Sequence, residues 1–132
     1  MIGIDTNILL RFILADDPVQ LERTKAFLAN RSAEDPAFIS LAVIAETCWV
    51  LRRRYGYRND VIARTLHQLL DAEEFLFEDE YFVDDLLTEE SNLAADISDY
   101  IIAHIAIRSG CNKVVTFDVK AAKAVPGMEL LQ

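Results

Sequence analysis

A chain of 132 residues, 52% apolar and 27% charged, has the size of one ordinary domain and can bury a core without disulfide staples. Its 13 basic and 22 acidic residues leave a formal charge of −9, which gives no bulk attraction for nucleic acid and favours a basic protein partner. Apolar runs such as Leu41 to Ala45 are far too short to span a bilayer, and Met1-Ile2-Gly3-Ile4-Asp5 is not a signal peptide, so a cytoplasmic protein is expected.

No repeat or linker interrupts the chain, which reads as a single domain over residues 1–132. Met1 to Ile4 is a short apolar start, followed by the polar turn Asp5-Thr6-Asn7 and a helical stretch from Ile8 to Leu14. Asp16-Asp17 breaks it, and Pro18 suits the first turn of a new helix. There Val19, Phe27 and Leu28 should face the core, and Glu22, Arg23 and Lys25 the solvent. Ala37 to Ile39 reads as a strand, and Ser40 as the cap of a helix that runs to about Tyr55 and stops at Gly56. Asn59 to Leu70 is amphipathic through Ile62, Leu66 and Leu69; Phe75 to Phe77 is a strand; Glu78 to Glu90 is a helix with Phe82, Val83, Leu86 and Leu87 inward. Ser98 to Ser109 forms another helix before Gly110, Lys113 to Phe117 a β-branched strand, and Met128 to Leu131 an edge strand. Short, continuously apolar strands alternating with helices predict an α/β fold, with a parallel sheet covered by helices on both faces. Cys48 and Cys111 have apolar neighbours and read as buried, reduced thiols.

Most of the acids fall in clusters such as Asp71 to Glu80, Asp84-Asp85 and Glu89-Glu90, which read as solvated faces. Four differ. Glu46 is the only charged residue between Phe38 and Leu51, Asp5 lies between two apolar stretches, Asp99 precedes Tyr100-Ile101-Ile102-Ala103, and Asp118 closes Val114-Val115-Thr116-Phe117. A buried carboxylate without a partner costs several kcal/mol. For each acid alone, an N-cap, a turn or a salt bridge would answer this. Together they suggest one pocket, because Asp5 and Asp118 end predicted strands, where open α/β sheets form their sites, and Asp99 starts a helix whose dipole favours its charge. A divalent cation would remove the mutual repulsion, and all-oxygen ligation selects Mg²⁺ or Mn²⁺. His67 reads as exposed on its helix and His104 as a hydrogen-bonded structural histidine. A P-loop, a dinucleotide fingerprint and a Gly-x-Ser-x-Gly elbow are absent from the sequence. Asn7 stands where a haloacid-dehalogenase phosphatase would have its second aspartate.

These fragments resemble the PIN domain, and within it the small VapC-type toxins of bacterial toxin–antitoxin pairs. The similarity lies in Met1 to Phe12 with its Asp-Thr-Asn motif, Ala45 to Leu51 around Glu46, Ile97 to Ala103 around Asp99, and the closing Val115-Thr116-Phe117-Asp118. The resemblance implies a three-layer fold with a central parallel sheet of four to five short strands. It also implies a magnesium-dependent endoribonuclease, a homodimer, and inhibition by a cognate antitoxin, expected to be basic. Asp5, Glu46, Asp99 and Asp118 match the catalytic, metal-holding acids. Thr6, Asn7 and Thr116 match polar positions that orient acids or water.

Asp96, one turn before Asp99, could join the metal shell or simply be solvated. Arg52, Arg53, Arg54 and Arg58 are candidates for RNA contact, or for a solvated helix end, with Arg11 and Lys113 as weaker ones. In the expected chemistry the metal acidifies a water and stabilises charge on the scissile phosphate, so no histidine base is required. The alternatives are a non-catalytic PIN-like module that binds metal or a partner, and a stand-alone nuclease processing RNA or DNA.

Overall fold

Each apolar run becomes a strand or the buried stripe of a helix in the computed structural model, which describes residues 1–88 and 93–132. Strand β1 (Ile2–Gly3) leads into α1 (Thr6–Leu14), and α2 (Pro18–Ala29) follows with Pro18 in its first turn and the Asp17 side chain accepting from Gln20 N. Strand β2 (Ala37–Ile39) ends at Ser40, whose hydroxyl accepts from Val43 N and opens α3 (Leu41–Arg53). Next come α4 (Asn59–Leu70), β3 (Phe75–Phe77), α5 (Glu80–Thr88) and α6 (Ile97–Arg108). Strand β4 (Val114–Thr116), α7 (Val119–Ala124) and β5 (Met128–Leu130) close the chain. The expected end of the Glu78 to Glu90 helix and the acids Glu89 and Glu90 lie outside the described residues. Helix α7 was not expected from the sequence, although Asp118 before Val119-Lys120-Ala121-Ala122 is a capping signal.

The α/β class is as predicted: strands pair in parallel and helices flank them. The expected central sheet divides, however. β1, β2 and β3 form one sheet in that order, β4 and β5 a second, and β1 and β4 are not paired among the described residues. Each sheet has its own core. Leu9, Ile39, Leu41, Ile44, Leu51, Ile62, Leu66, Leu87, Ile97 and Ile101 are fully buried in the larger one, whereas Ala95, Ala103, Ala121 and Val125 make a small second cluster around the C-terminal strands. Those small side chains bury little area, so β4 and β5 are at most half-buried. Two further expectations fail. Val19 is 62% exposed, because Thr24 and Leu28 carry the buried side of α2. Cys111 is exposed beyond the end of α6, while Cys48 is buried and its thiol pKa is driven upward by burial.

Polar contacts fix how α3 meets α6. Asp96 caps the start of α6 and is 9% exposed. Its Oδ1 accepts from Arg52 Nε at 2.9 Å, and its Oδ2 from Arg53 Nε at 3.0 Å and Nη2 at 2.9 Å. Asn59 Nδ2 donates to Leu93 O at 3.1 Å and Ala95 O at 2.8 Å, which ties the segment before Asp96 to α4. At the other end of α3, Glu78 Oε1 accepts from Leu41 N at 2.8 Å. His104 is structural, as expected: its ring stacks on Phe82 with centroids 3.5 Å apart, and Nε2 lies 2.6 Å from Asp79 Oδ2. The His104 hydrogen bond, with help from Arg108, holds the Asp79 carboxyl below the usual range, and Asp79 sits at φ +53 in the left-handed region. His67 Nε2 lies 2.9 Å from Asp84 Oδ1 at the surface.

Leu51 is fully buried near the end of α3, so Leu51→Ala should lower the unfolding free energy by about 2–5 kcal/mol in urea denaturation. Asp96→Ala should cost about 1–3 kcal/mol in the same measurement, since it strips two guanidinium groups of their acceptor.

Candidate active site

The four acids of interest are placed by helix starts and one helix face. Asp5 leaves β1 in an extended conformation and caps α1, its Oδ1 accepting from Ile8 N at 3.0 Å. This satisfies one orphan donor of the helix and leaves Oδ2 without a protein partner among the described residues. Asp118 does the same for α7, accepting from Ala121 N at 3.0 Å. Its own N–H donates to Thr116 Oγ1 at 3.0 Å, so Thr116 sets the geometry of the turn that presents Asp118. Asp99 is in the first turn of α6, its N–H donating to Asp96 O at 3.0 Å. Thr6 is buried at the start of α1, and Asn7 beside it is exposed.

Burial does not set these acids apart in the way the sequence suggests. Asp5, Glu46 and Asp118 are exposed, and only Asp99 is half-buried. For Glu46 the reason is helical phase. Leu41, Ile44, Thr47, Cys48 and Leu51 form the inward stripe of α3, which puts Ala42, Glu46 and Trp49 on the opposite side. Asp96, which sequence reading allowed to be solvated or to sit in a metal shell, is instead buried with both oxygens held by Arg52 and Arg53. Those two arginines thus act first as anchors of α6. The signal for this was present in two adjacent arginines at the end of an otherwise apolar helix, but the partner lies more than forty residues away.

The structure brings Asp99 and Asp118 into electrostatic contact. Burial pushes the Asp99 carboxyl above its ordinary value, the charges of Asp96 and then Asp118 raise it further, and Arg53 offsets part of this. On the other side, Asp5 and Asn7 line a surface cavity of about 580 Å³ with Arg11 and Arg23. Asn7 and Arg11 also line a second cavity of about 440 Å³ that holds Glu46. Asn7 therefore stands between Asp5 and Glu46. Among the described residues, no three Asp, Glu, His or Cys side chains are close enough together to hold a metal ion. Of the four acids, Asp99 and Asp118 feel each other's charge, while Asp5 and Glu46 line two cavities that share Asn7 and Arg11. Asp5 follows β1 of the larger sheet and Asp118 follows β4 of the smaller one.

An acid whose pKa is raised on folding holds its proton more tightly in the folded chain, so stability falls as pH rises through the window above its unfolded value. Asp99→Asn should therefore be more stable than the parent at neutral pH without divalent cations. The difference should vanish below the ordinary aspartate value of 3.8, where both side chains are neutral. Thermal unfolding at the two pH values checks this.

A family model described as "PIN domain" matches residues 2–126. No curated protein and no solved structure matches the chain. The matched segment includes β1 with Asp5, α3 with Glu46, α6 with Asp99 and the turn with Asp118. The chain therefore belongs to the PIN domain family, whose members are typically nucleases that hydrolyse phosphodiester bonds.

Proposed function

We propose that this chain is a divalent-metal-dependent endoribonuclease and the toxin member of a toxin–antitoxin pair. The observation that carries the catalytic part is Asp99, a carboxyl placed beside Asp96 and Asp118 and destabilised as an anion first by its burial and then by those two charges. Such a group is relieved by a cation. The donors on offer are all carboxylate oxygens, which suit Mg²⁺ or Mn²⁺. Mg²⁺ commonly takes only one or two carboxylates and completes its shell with water and substrate phosphate, so the pair Asp99 and Asp118 is a sufficient donor set. When bound, such an ion would acidify a water and neutralise charge on the scissile phosphate.

The chain's own residues then have separable roles. Asp99 and Asp118 would hold the ion. Asp118 is fixed by its cap to α7 and by Thr116, and Asp99 by the first turn of α6. Asp5 presents a free oxygen from the cap of α1, and Glu46 extends from α3 beyond Asn7; these two would orient water or a second ion. Proton transfer would be left to carboxylates, since His67 and His104 are both engaged by aspartates.

The partner reading follows from charge. A −9 chain with carboxylates at four surface-reaching helix positions attracts a basic segment, and a guanidinium can occupy a site built for a cation. A cognate antitoxin with a basic tail, a homodimeric toxin and a cytoplasmic setting form one consistent picture. No helix among the described residues is long and apolar enough to cross a membrane. The lack of a three-acid cluster favours a second reading, a PIN module that binds partners without cutting.

Cleavage assays separate the two. A mixed-sequence RNA should be cut in Mg²⁺ and spared in EDTA, and folded Asp5→Asn and Asp99→Asn proteins should lose at least the roughly 10–100-fold that removal of a metal-supporting carboxylate costs. Undiminished cutting after chelation would exclude the metal mechanism, and no cutting under any divalent ion would favour the binding module. For the toxin role, a gene beside this one should encode a small protein with a basic C-terminal segment that blocks cleavage when added.

A further inference from the structure

The two cavities beside Asp5 and Glu46 share Asn7 and Arg11 as a common wall, and together they are termed the track. The first lies between α1 and α2 and includes Asp5, Arg11 and Arg23; the second lies between α1 and α3 and includes Glu46, Trp49, Arg54 and Tyr55. Arg11 lines both and is held in place by Asp16 Oδ1 at 3.0 Å and Gln20 Oε1 at 2.6 Å. Trp49 is one helical turn beyond Glu46, on the same side of α3. It is 45% exposed and Tyr55 is 47% exposed, so two aromatic rings stand half in solvent at one end of the track.

Resting on the nuclease reading above, we infer that Trp49 and Tyr55, with Arg54, form a stacking subsite for an unpaired base of single-stranded RNA next to the acids, and that Arg23 holds the backbone at the far end of the same track. Three features select this occupant. Aromatic faces bind bases without regard to sequence, and single-strand sites combine them with cations that follow the backbone. The cavity walls carry three guanidinium groups, Arg11, Arg23 and Arg54, against Asp5, Glu46 and the Asp16 that pairs with Arg11, so the local balance is even on a chain of net charge −9. Arg23 and Arg54, like Arg64 on α4, make no ion pair among the described residues, whereas Arg11, Arg31, Arg52, Arg53, Arg58 and Arg108 all do. A fixed distance from the rings to the acids would also set which phosphate is cut relative to the stacked base.

Trp49 is the only tryptophan, so its fluorescence reports on this subsite alone. The Asp5→Asn protein in Mg²⁺, which spares the RNA, is titrated with an oligouridylate of about 12 nucleotides, within the range a single-strand groove covers. Trp49 emission should be quenched, a fully abasic strand of the same length should not quench, and neither should a duplex of the same length. With a labelled oligouridylate, Trp49→Ala should bind roughly five- to hundredfold more weakly and Trp49→Phe close to the parent. Arg54→Ala should weaken binding and lower the slope of log affinity against log salt by about 1.

Unchanged emission at saturating RNA, in a chain whose wild type still cuts, overturns the subsite and leaves the nuclease reading intact. Trp49→Ala that dissociates a dimer without changing RNA affinity also overturns it, by showing that the face joins two copies. Quenching by a wild type that never cuts supports the subsite and removes the nuclease reading instead.

Discussion

Helix α3 and helix α6 are held by one buried carboxylate between two guanidinium groups, and much of the functional surface depends on that contact. Asp96 caps α6 and takes Arg52 and Arg53 from the end of α3. Burying an anion is tolerable only when its lone pairs are met, and here both oxygens are. The contact fixes where α6 begins and so where Asp99 points. The apolar part of the same packing, through Ile44, Leu51, Ile97 and Ile101, fixes the phase of α3 and turns Glu46 and Trp49 outward. Glu78, reaching from the end of β3 to Leu41 N, holds the opposite end of α3.

Helix beginnings do a second service. Asp5, Asp96, Asp99 and Asp118 all stand at or just inside the N-terminal end of a helix. The free N–H groups and the dipole there favour a negative charge, which lets acids gather without each requiring a salt bridge. A capping aspartate spends one oxygen on the backbone and retains the other. That is why Asp5 and Asp118 can be structural and still available to a ligand. Asp99 has no such cap contact, is half-buried, and carries the electrostatic strain.

The division into two sheets bears on how the site works. Asp5 belongs to the larger sheet, while Asp118 follows β4 in the smaller one, whose core is built from alanines and a valine. RNA crossing from Arg23 past Asn7 to Trp49 would run along the cavities that hold Asp5 and Glu46.

Much of this was legible in the primary structure. Alternation of short apolar runs with amphipathic ones gave β2, β3 and α4 with their observed boundaries, because burial stripes and the Ser40 and Gly56 signals are local. The chemical identity of the acids, and the turns or helix starts that hold Asp5 and Asp99, were local too, whereas the short helix that Asp118 caps was not anticipated. What the sequence could not reveal was exposure. An acid within an apolar run looks buried, yet Glu46 is exposed because only one side of α3 faces the core, and Asp96 looks solvated yet is buried because its partners come from another helix. Residue order alone determined the fold class and which groups could do chemistry. Only tertiary packing decided which carboxylates share a field, which arginines are already committed, and which aromatic rings remain open, since those depend on helix phase and on contacts between residues distant along the chain.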